Sequence, residues 1–111
     1  MMAVVYLLCG KVGCGKSTYA KKLKQQAGGV ILSCDELMLS LFSEHLFDKH
    51  QEILDKSSAY LFDLALELHS AGVNAILDFG FWTKESRQYA RAFFAQQCVE
   101  TRLIYINIPE E

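Results

Sequence analysis

Gly10-Lys11-Val12-Gly13-Cys14-Gly15-Lys16-Ser17 is the stretch on which the fold of this chain turns. It matches Gly-x-x-x-x-Gly-Lys-[Ser/Thr] at every fixed position, and its flanks supply the context that pattern needs. Before it, Ala3 to Leu8 reads Ala-Val-Val-Tyr-Leu-Leu, apolar on both faces, as a strand inside a parallel sheet should be. After it, residues 16–27 place Ala20, Leu23 and Ala27 at helical spacing, with Lys21, Lys22 and Lys24 on a solvated face. Gly28-Gly29 then stops the helix. A strand that turns through glycines into a helix lets backbone N–H groups approach an anion without Cβ interference, beside the positive end of the helix dipole. Gly10, Val12, Gly13, Cys14 and Gly15 are therefore expected to cradle phosphate oxygens through their backbone. Lys16 is expected to neutralise the β- and γ-phosphates, and the Ser17 hydroxyl to hold Mg²⁺.

Working outward, Val30 to Leu32 reads as a short second strand. Ser33 and Glu36 form a Ser-x-x-Glu capping signature, which starts a helix near Asp35 carrying Leu37, Met38, Leu41 and Phe42. A longer helix spans about residues 51–70, with Ile53, Tyr60, Leu61, Leu64 and Leu68 as its core stripe and Gly72 after its end. Asp48, Glu52 and Asp55 share a helical spacing and read as a solvated acidic face. Ala75-Ile76-Leu77 is a third strand closed by Asp78, Thr83 caps a helix running to about Gln97, and residues 102–107 form a fourth strand. Strands alternating with helices imply a parallel sheet with helices on both faces, so the class is α/β.

Asp35 and Asp78 each follow a predicted strand, at the sheet edge where ligands of open parallel sheets bind. Asp78 stands where a carboxylate would bind Mg²⁺ directly or through water, with a turn residue as the bland alternative. Asp35 is a candidate to accept a proton from a hydroxyl that attacks the γ-phosphate, with helix capping as its alternative. Phe79, Phe81 and Trp82 either wall an acceptor or pack on the sheet. Asp78-Phe79-Gly80 echoes a protein-kinase triplet, but no His-Arg-Asp loop precedes it. Arg87 and Arg91, spaced i and i+4, suit an anionic partner or solvent.

The chain has 111 residues, 51% of them apolar and 22% charged, which suits one compact domain over residues 1–111. The apolar run from Met1 to Cys9 is about half of what a bilayer needs and lacks the flanks of a signal peptide. A net charge of −2 argues against nucleic-acid binding by bulk charge. Cys9, Cys14, Cys34 and Cys98 show neither a CxxC pair nor a disulfide framework, which suits reduced thiols in the cytoplasm. His45, His50 and His69 fit no metal-ligand pattern.

The phosphate loop, Ser33-Cys34-Asp35, and the run from Leu77 through Thr83 into Glu85-Ser86-Arg87 resemble the small P-loop kinases often labelled AAA-type ATP-binding proteins. These are similar to polynucleotide kinase, zeta toxins and chloramphenicol phosphotransferase. The resemblance implies a three-layer α/β/α P-loop NTPase fold, of the nucleotide-kinase kind, with about four parallel strands. It implies ATP and Mg²⁺ as cosubstrates and transfer to a hydroxyl of a small molecule or a nucleic-acid 5′ end. By position it assigns Lys16 and Ser17 to phosphate and metal, Thr18 to the α-phosphate, and Asp35 to acceptor activation. It sets Asp78 and Arg87 near the metal or the acceptor. Such kinases continue into an arginine-bearing lid and usually a fifth strand, whereas this sequence ends at Pro109-Glu110-Glu111. The expectation is a C-terminally truncated domain whose sheet edge favours self-association. An ATP- or GTP-binding module without turnover is the alternative function, and a mechanical ATPase a third.

Overall fold

The computed structural model describes residues 3–10, 15–42, 50–80 and 83–106. Eight elements alternate along the chain: β1 (Val5–Cys9), α1 (Lys16–Ala27), β2 (Val30–Leu32), α2 (Cys34–Leu41), α3 (His50–Ser70), β3 (Ala75–Gly80), α4 (Lys84–Gln96) and β4 (Thr101–Tyr105). The strands make one sheet in the order β2-β3-β1-β4, with every neighbouring pair parallel. This is the expected α/β fold.

Strand alternation sorts the core onto two faces. Val5, Leu7, Cys9, Ala75 and Leu77 point to one side and pack with Met38, Phe62, Ala65, Ala90 and Phe94 from α2, α3 and α4. Val4, Tyr6, Leu8 and Ile76 point to the other side and pack with Ala20 and Leu23 of α1. Sheet and helices thus form three layers. Leu7, Leu8, Ile76 and Leu77 are wholly buried, each contributing about 1.5–3 kcal/mol of hydrophobic stabilisation.

Local chemistry accounts for the helix ends. The Ser33 hydroxyl accepts from Glu36 N at 3.2 Å and caps α2, and Thr83 Oγ1 accepts from Ser86 N at 3.1 Å and caps α4. At the base of the sheet Asn74 ties three segments together. Its Oδ1 accepts from Val4 N at 2.8 Å, its Nδ2 donates to Ala27 O at 3.1 Å, and its backbone oxygen accepts from Val30 N at 2.9 Å.

Two expectations need correction. The third strand does not close at Asp78 but runs to Gly80, because Gly80 pairs with Cys9 and carries the ladder past the carboxylate. Tyr60 is 63% exposed, and the core-facing stripe of α3 is instead centred on Leu61, Phe62 and Ala65. The lysine face of α1 is exposed, as expected.

Candidate active site

The site forms where β1 gives way to α1. Gly10 is buried at the end of β1, and Gly15 caps α1 in the left-handed conformation (φ 90°, ψ 15°), where a Cβ is disfavoured. Lys11, Val12, Gly13 and Cys14 lie outside the described residues. The first turn of α1 then presents Lys16 and Ser17.

Asp78 shares its parity with Ile76, so its side chain projects toward the α1 side of the sheet. There the Lys16 ammonium stands 3.0 Å from Asp78 Oδ1, and Ser17 Oγ donates to Asp78 Oδ2 at 3.3 Å. The two partners of the ion pair are 11% and 4% exposed. Burial of that extent is what an ionised carboxylate accepts only when a cation faces it. Asp78 Oδ1 makes no well-aligned hydrogen bond, so the Lys16 ammonium is the group that faces it, while Oδ2 takes the Ser17 hydroxyl. The metal pair expected from the sequence, Ser17 and Asp78, is therefore brought together. No group of three His, Cys, Asp or Glu side chains suited to a metal occurs among the described residues. A hard cation held by Ser17 and Asp78 alone would need further oxygens, which phosphates and water supply.

A cavity of about 670 Å³ opens from this point, with Gly10 and Lys16 at one end. Asp35 of α2, Asp55 and Ser58 of α3, Phe79 of β3 and Tyr89 of α4 also line it. Asp35 is exposed in the first turn of α2 and is not its cap; Ser33 is. Cys34, beside it, lies 3.6 Å from Ser58 Oγ and 3.9 Å from Leu54 O, which joins α2 to α3. Burial pushes the Cys34 thiol up; the Ser58 hydrogen bond opposes that shift and the Asp35 charge adds to it. Phe79 lines the cavity and packs on Phe62, with ring centroids 5.6 Å apart. Phe81 and Trp82 lie outside the described residues.

The remaining assigned residues sit elsewhere. Thr18 is exposed on α1 and is not on the cavity wall. Arg87 is half-buried over the Tyr105 ring, 5.5 Å from its centroid, and does not line the cavity either. Arg91 is exposed. Asp55, Gln51, Ser58 and Tyr89 were not singled out as site residues by the sequence, yet they form its far wall. The signal available was the spacing of 51, 55, 58 and 62, which puts them on one helix face beside the core stripe.

A family model described as an AAA domain matches residues 5–111. The chain belongs to this family of small P-loop kinases. Among curated proteins none matches. Among solved structures, a chain of the Pnkp1/Rnl/Hen1 complex is similar at a TM-score of 0.80 and 17% identity, over 97% of this chain and 36% of that one. APS kinase CysC of Mycobacterium tuberculosis, in complex with AMPPNP and APS, gives a TM-score of 0.77 and 18% identity over 97% of this chain and 64% of that one. The hexameric APS kinase of Thiobacillus denitrificans gives a TM-score of 0.66 and 21% identity over 99% of this chain and 24% of that one. At such identities the likeness is one of fold. The chain spans about a third of the Pnkp1-complex chain and just under two thirds of the CysC chain it matches. The family match and the fold together set the chain among P-loop kinase-like proteins.

Proposed function

We propose that the protein transfers the γ-phosphate of ATP to a hydroxyl group, with Mg²⁺ held by Ser17 and Asp78. The observation that carries this reading is the Lys16–Asp78–Ser17 cluster at the start of α1, opening onto a cavity that Asp35 also lines. Movement of the Lys16 ammonium off buried Asp78 Oδ1 would leave that oxygen, near the Ser17 hydroxyl, for a small hard cation. Mg²⁺ bound there would neutralise charge on the phosphates during transfer. Nucleotide binding draws the Lys16 ammonium from Asp78 onto the β- and γ-phosphates, while Gly10, Val12, Gly13, Cys14 and Gly15 supply backbone donors and Thr18 meets the α-phosphate. Asp35 accepts the proton of the attacking hydroxyl, and Phe62 and Phe79 keep one side of the acceptor dry. Arg87, at the same end of the sheet, adds positive charge near the transferred group. A cytoplasmic setting, where thiols stay reduced, belongs to the same proposal. So does self-association along β4, since among the described residues no strand pairs with its outer side.

One observation favours binding without turnover: among the described residues no arginine lines the cavity, and arginines are what usually stabilise a transferring phosphoryl group. Incubation with ATP, Mg²⁺ and a library of hydroxyl compounds separates the readings, because transfer yields ADP only when an acceptor is present. Asp35→Asn should keep AMPPNP affinity and lower transfer by about 100-fold or more. Equal transfer rates in that variant would leave Asp35 without a catalytic part.

A further inference from the structure

The charge on the cavity wall narrows the acceptor. Lys16 is the only cation lining it among the described residues, and that ammonium is engaged by Asp78 at 3.0 Å. Asp35 and Asp55 are the lining carboxylates, and neither has a cationic partner among the described residues. The contrast within α3 is informative. Glu52 takes Lys56, one turn on, as its partner at 3.2 Å, whereas Asp55 Oδ1 accepts only from Gln51 Nε2 at 2.9 Å. That bond orients the Asp55 carboxylate and leaves its charge without a cationic partner among the described residues. The same cavity carries an aromatic wall, with Phe62 only 4% exposed and Tyr89 of α4 stacked on it at 6.0 Å and 27°. A tyrosine face and two unpaired carboxylates attract a cation with a carbon skeleton and repel an anion.

We infer that the acceptor is a hydroxyl compound bearing a protonated amine, recognised by Asp55 and the Tyr89 face, and not a phosphate or sulfate ester. The inference rests on the kinase reading above. Asp35 then serves the reacting hydroxyl while Asp55 holds the ammonium, so the two carboxylates divide chemistry from recognition. A nucleic-acid end or a sulfated nucleotide would bring its negative charges against both.

The test is calorimetric titration of the whole chain, saturated with AMPPNP and Mg²⁺, by two matched sets of probes. One set is glucosamine, glucose and glucose 6-phosphate; the other is 1-amino-2-propanol, 1,2-propanediol and its monophosphate. In at least one set the amine should bind about fivefold more tightly than its neutral parent, and the phosphate more weakly than both. A preference in the first set assigns an amino sugar, in the second an amino alcohol. Asp55→Asn should reduce the amine-to-parent ratio to about twofold or less, and Asp55→Lys should reverse the order in favour of the phosphate. Both substitutions fall at an exposed helical position, so the fold is expected to survive them. No amine preference in either set, preference for the phosphate in the unaltered protein, or a ratio unmoved by both variants overturns the inference alone. Failure of AMPPNP to bind overturns the kinase reading, and this inference with it.

Discussion

Replacing Lys16 with alanine should destabilise the free protein, apart from any effect on nucleotide. Asp78 is 4% exposed, and Lys16 is the only cation paired with it among the described residues. Removing one partner of a buried ion pair costs about 3–5 kcal/mol, most of it the desolvated charge left behind. Here the pair stands at a cavity mouth, Lys16 is itself 11% exposed and Ser17 still donates to Asp78 at 3.3 Å. The cost therefore falls at or just below the lower limit of that range, about 2–3 kcal/mol. For a chain of 111 residues each kcal/mol moves the melting temperature by about 4 °C, so Lys16→Ala should melt about 8–12 °C below the unaltered protein.

The assay is a double-mutant cycle by thermal and urea unfolding, with Lys16→Ala, Asp78→Asn and the pair of substitutions compared at one pH. Asp78→Asn removes the stranded charge, so the double variant should recover most of the loss, for a coupling of about 2 kcal/mol. AMPPNP with Mg²⁺ should raise the melting temperature of the unaltered protein by mass action and leave Lys16→Ala where it was. A Lys16→Ala variant that melts within about 2 °C of the parent, or one that Asp78→Asn fails to rescue, would refute the ion pair as the element that offsets the burial of the Asp78 carboxylate.

Two further outcomes follow from other parts of the molecule. Gly29 has a φ of +122°, and a Cβ there would lie 2.6 Å from the backbone oxygen of Asn74, the group that accepts from Val30 N. Gly29→Ala should therefore cost about 2–4 kcal/mol, read as a lower urea midpoint. Burial pushes the Cys9 thiol up from 9.0 to about 11, against the opposite pull of Arg87. Above pH 9 the unfolded chain gives up a proton that the folded chain keeps until about pH 11, so this contribution is full below pH 9 and lost as pH rises toward 11. The urea midpoint should fall over that window, less so in Cys9→Ala, and iodoacetamide at pH 9 should label exposed Cys98 well before Cys9.

The order of strands and helices was legible because its signals are local. The apolar run into glycines, the Ser33 and Thr83 caps and the lysine face of α1 each need only a few adjacent residues. Asp78 was legible as a candidate but not as a strand residue. Asp-Phe-Gly has poor strand propensity, and only the pairing of Gly80 with Cys9, seventy-one positions earlier, extends β3 through it. Asp55 was illegible for a related reason. Periodicity shows that a helix has a polar face, but whether solvent or a cavity meets it depends on α2, β3 and α4, which approach from elsewhere in the chain. The spacing of Arg87 and Arg91 could not reveal that Tyr105 of β4 would take one of them.

The pleat of β3 also explains how one short strand serves two chemistries. Asp78 and Phe79 are neighbours in sequence, at the point where the register of β3 on β1 shifts, and they pack with different layers. Asp78 meets Lys16 and Ser17 at the start of α1, and Phe79 meets Phe62 of α3. Under the proposed function, phosphate and metal chemistry would stand on one side of the strand and the wall offered to an acceptor on the other. A pairing of β3 with β1 that exchanged the two side chains would bury a carboxylate against Phe62, with no cation beside it among the described residues. The register is therefore held by the cost of that exchange as well as by the ladder. Because the cavity wall is drawn from α3 and α4, substitutions at Asp55 and Tyr89 should leave the Lys16–Asp78 contact undisturbed. Under the proposed function, that separation would let one phosphate site serve different acceptors.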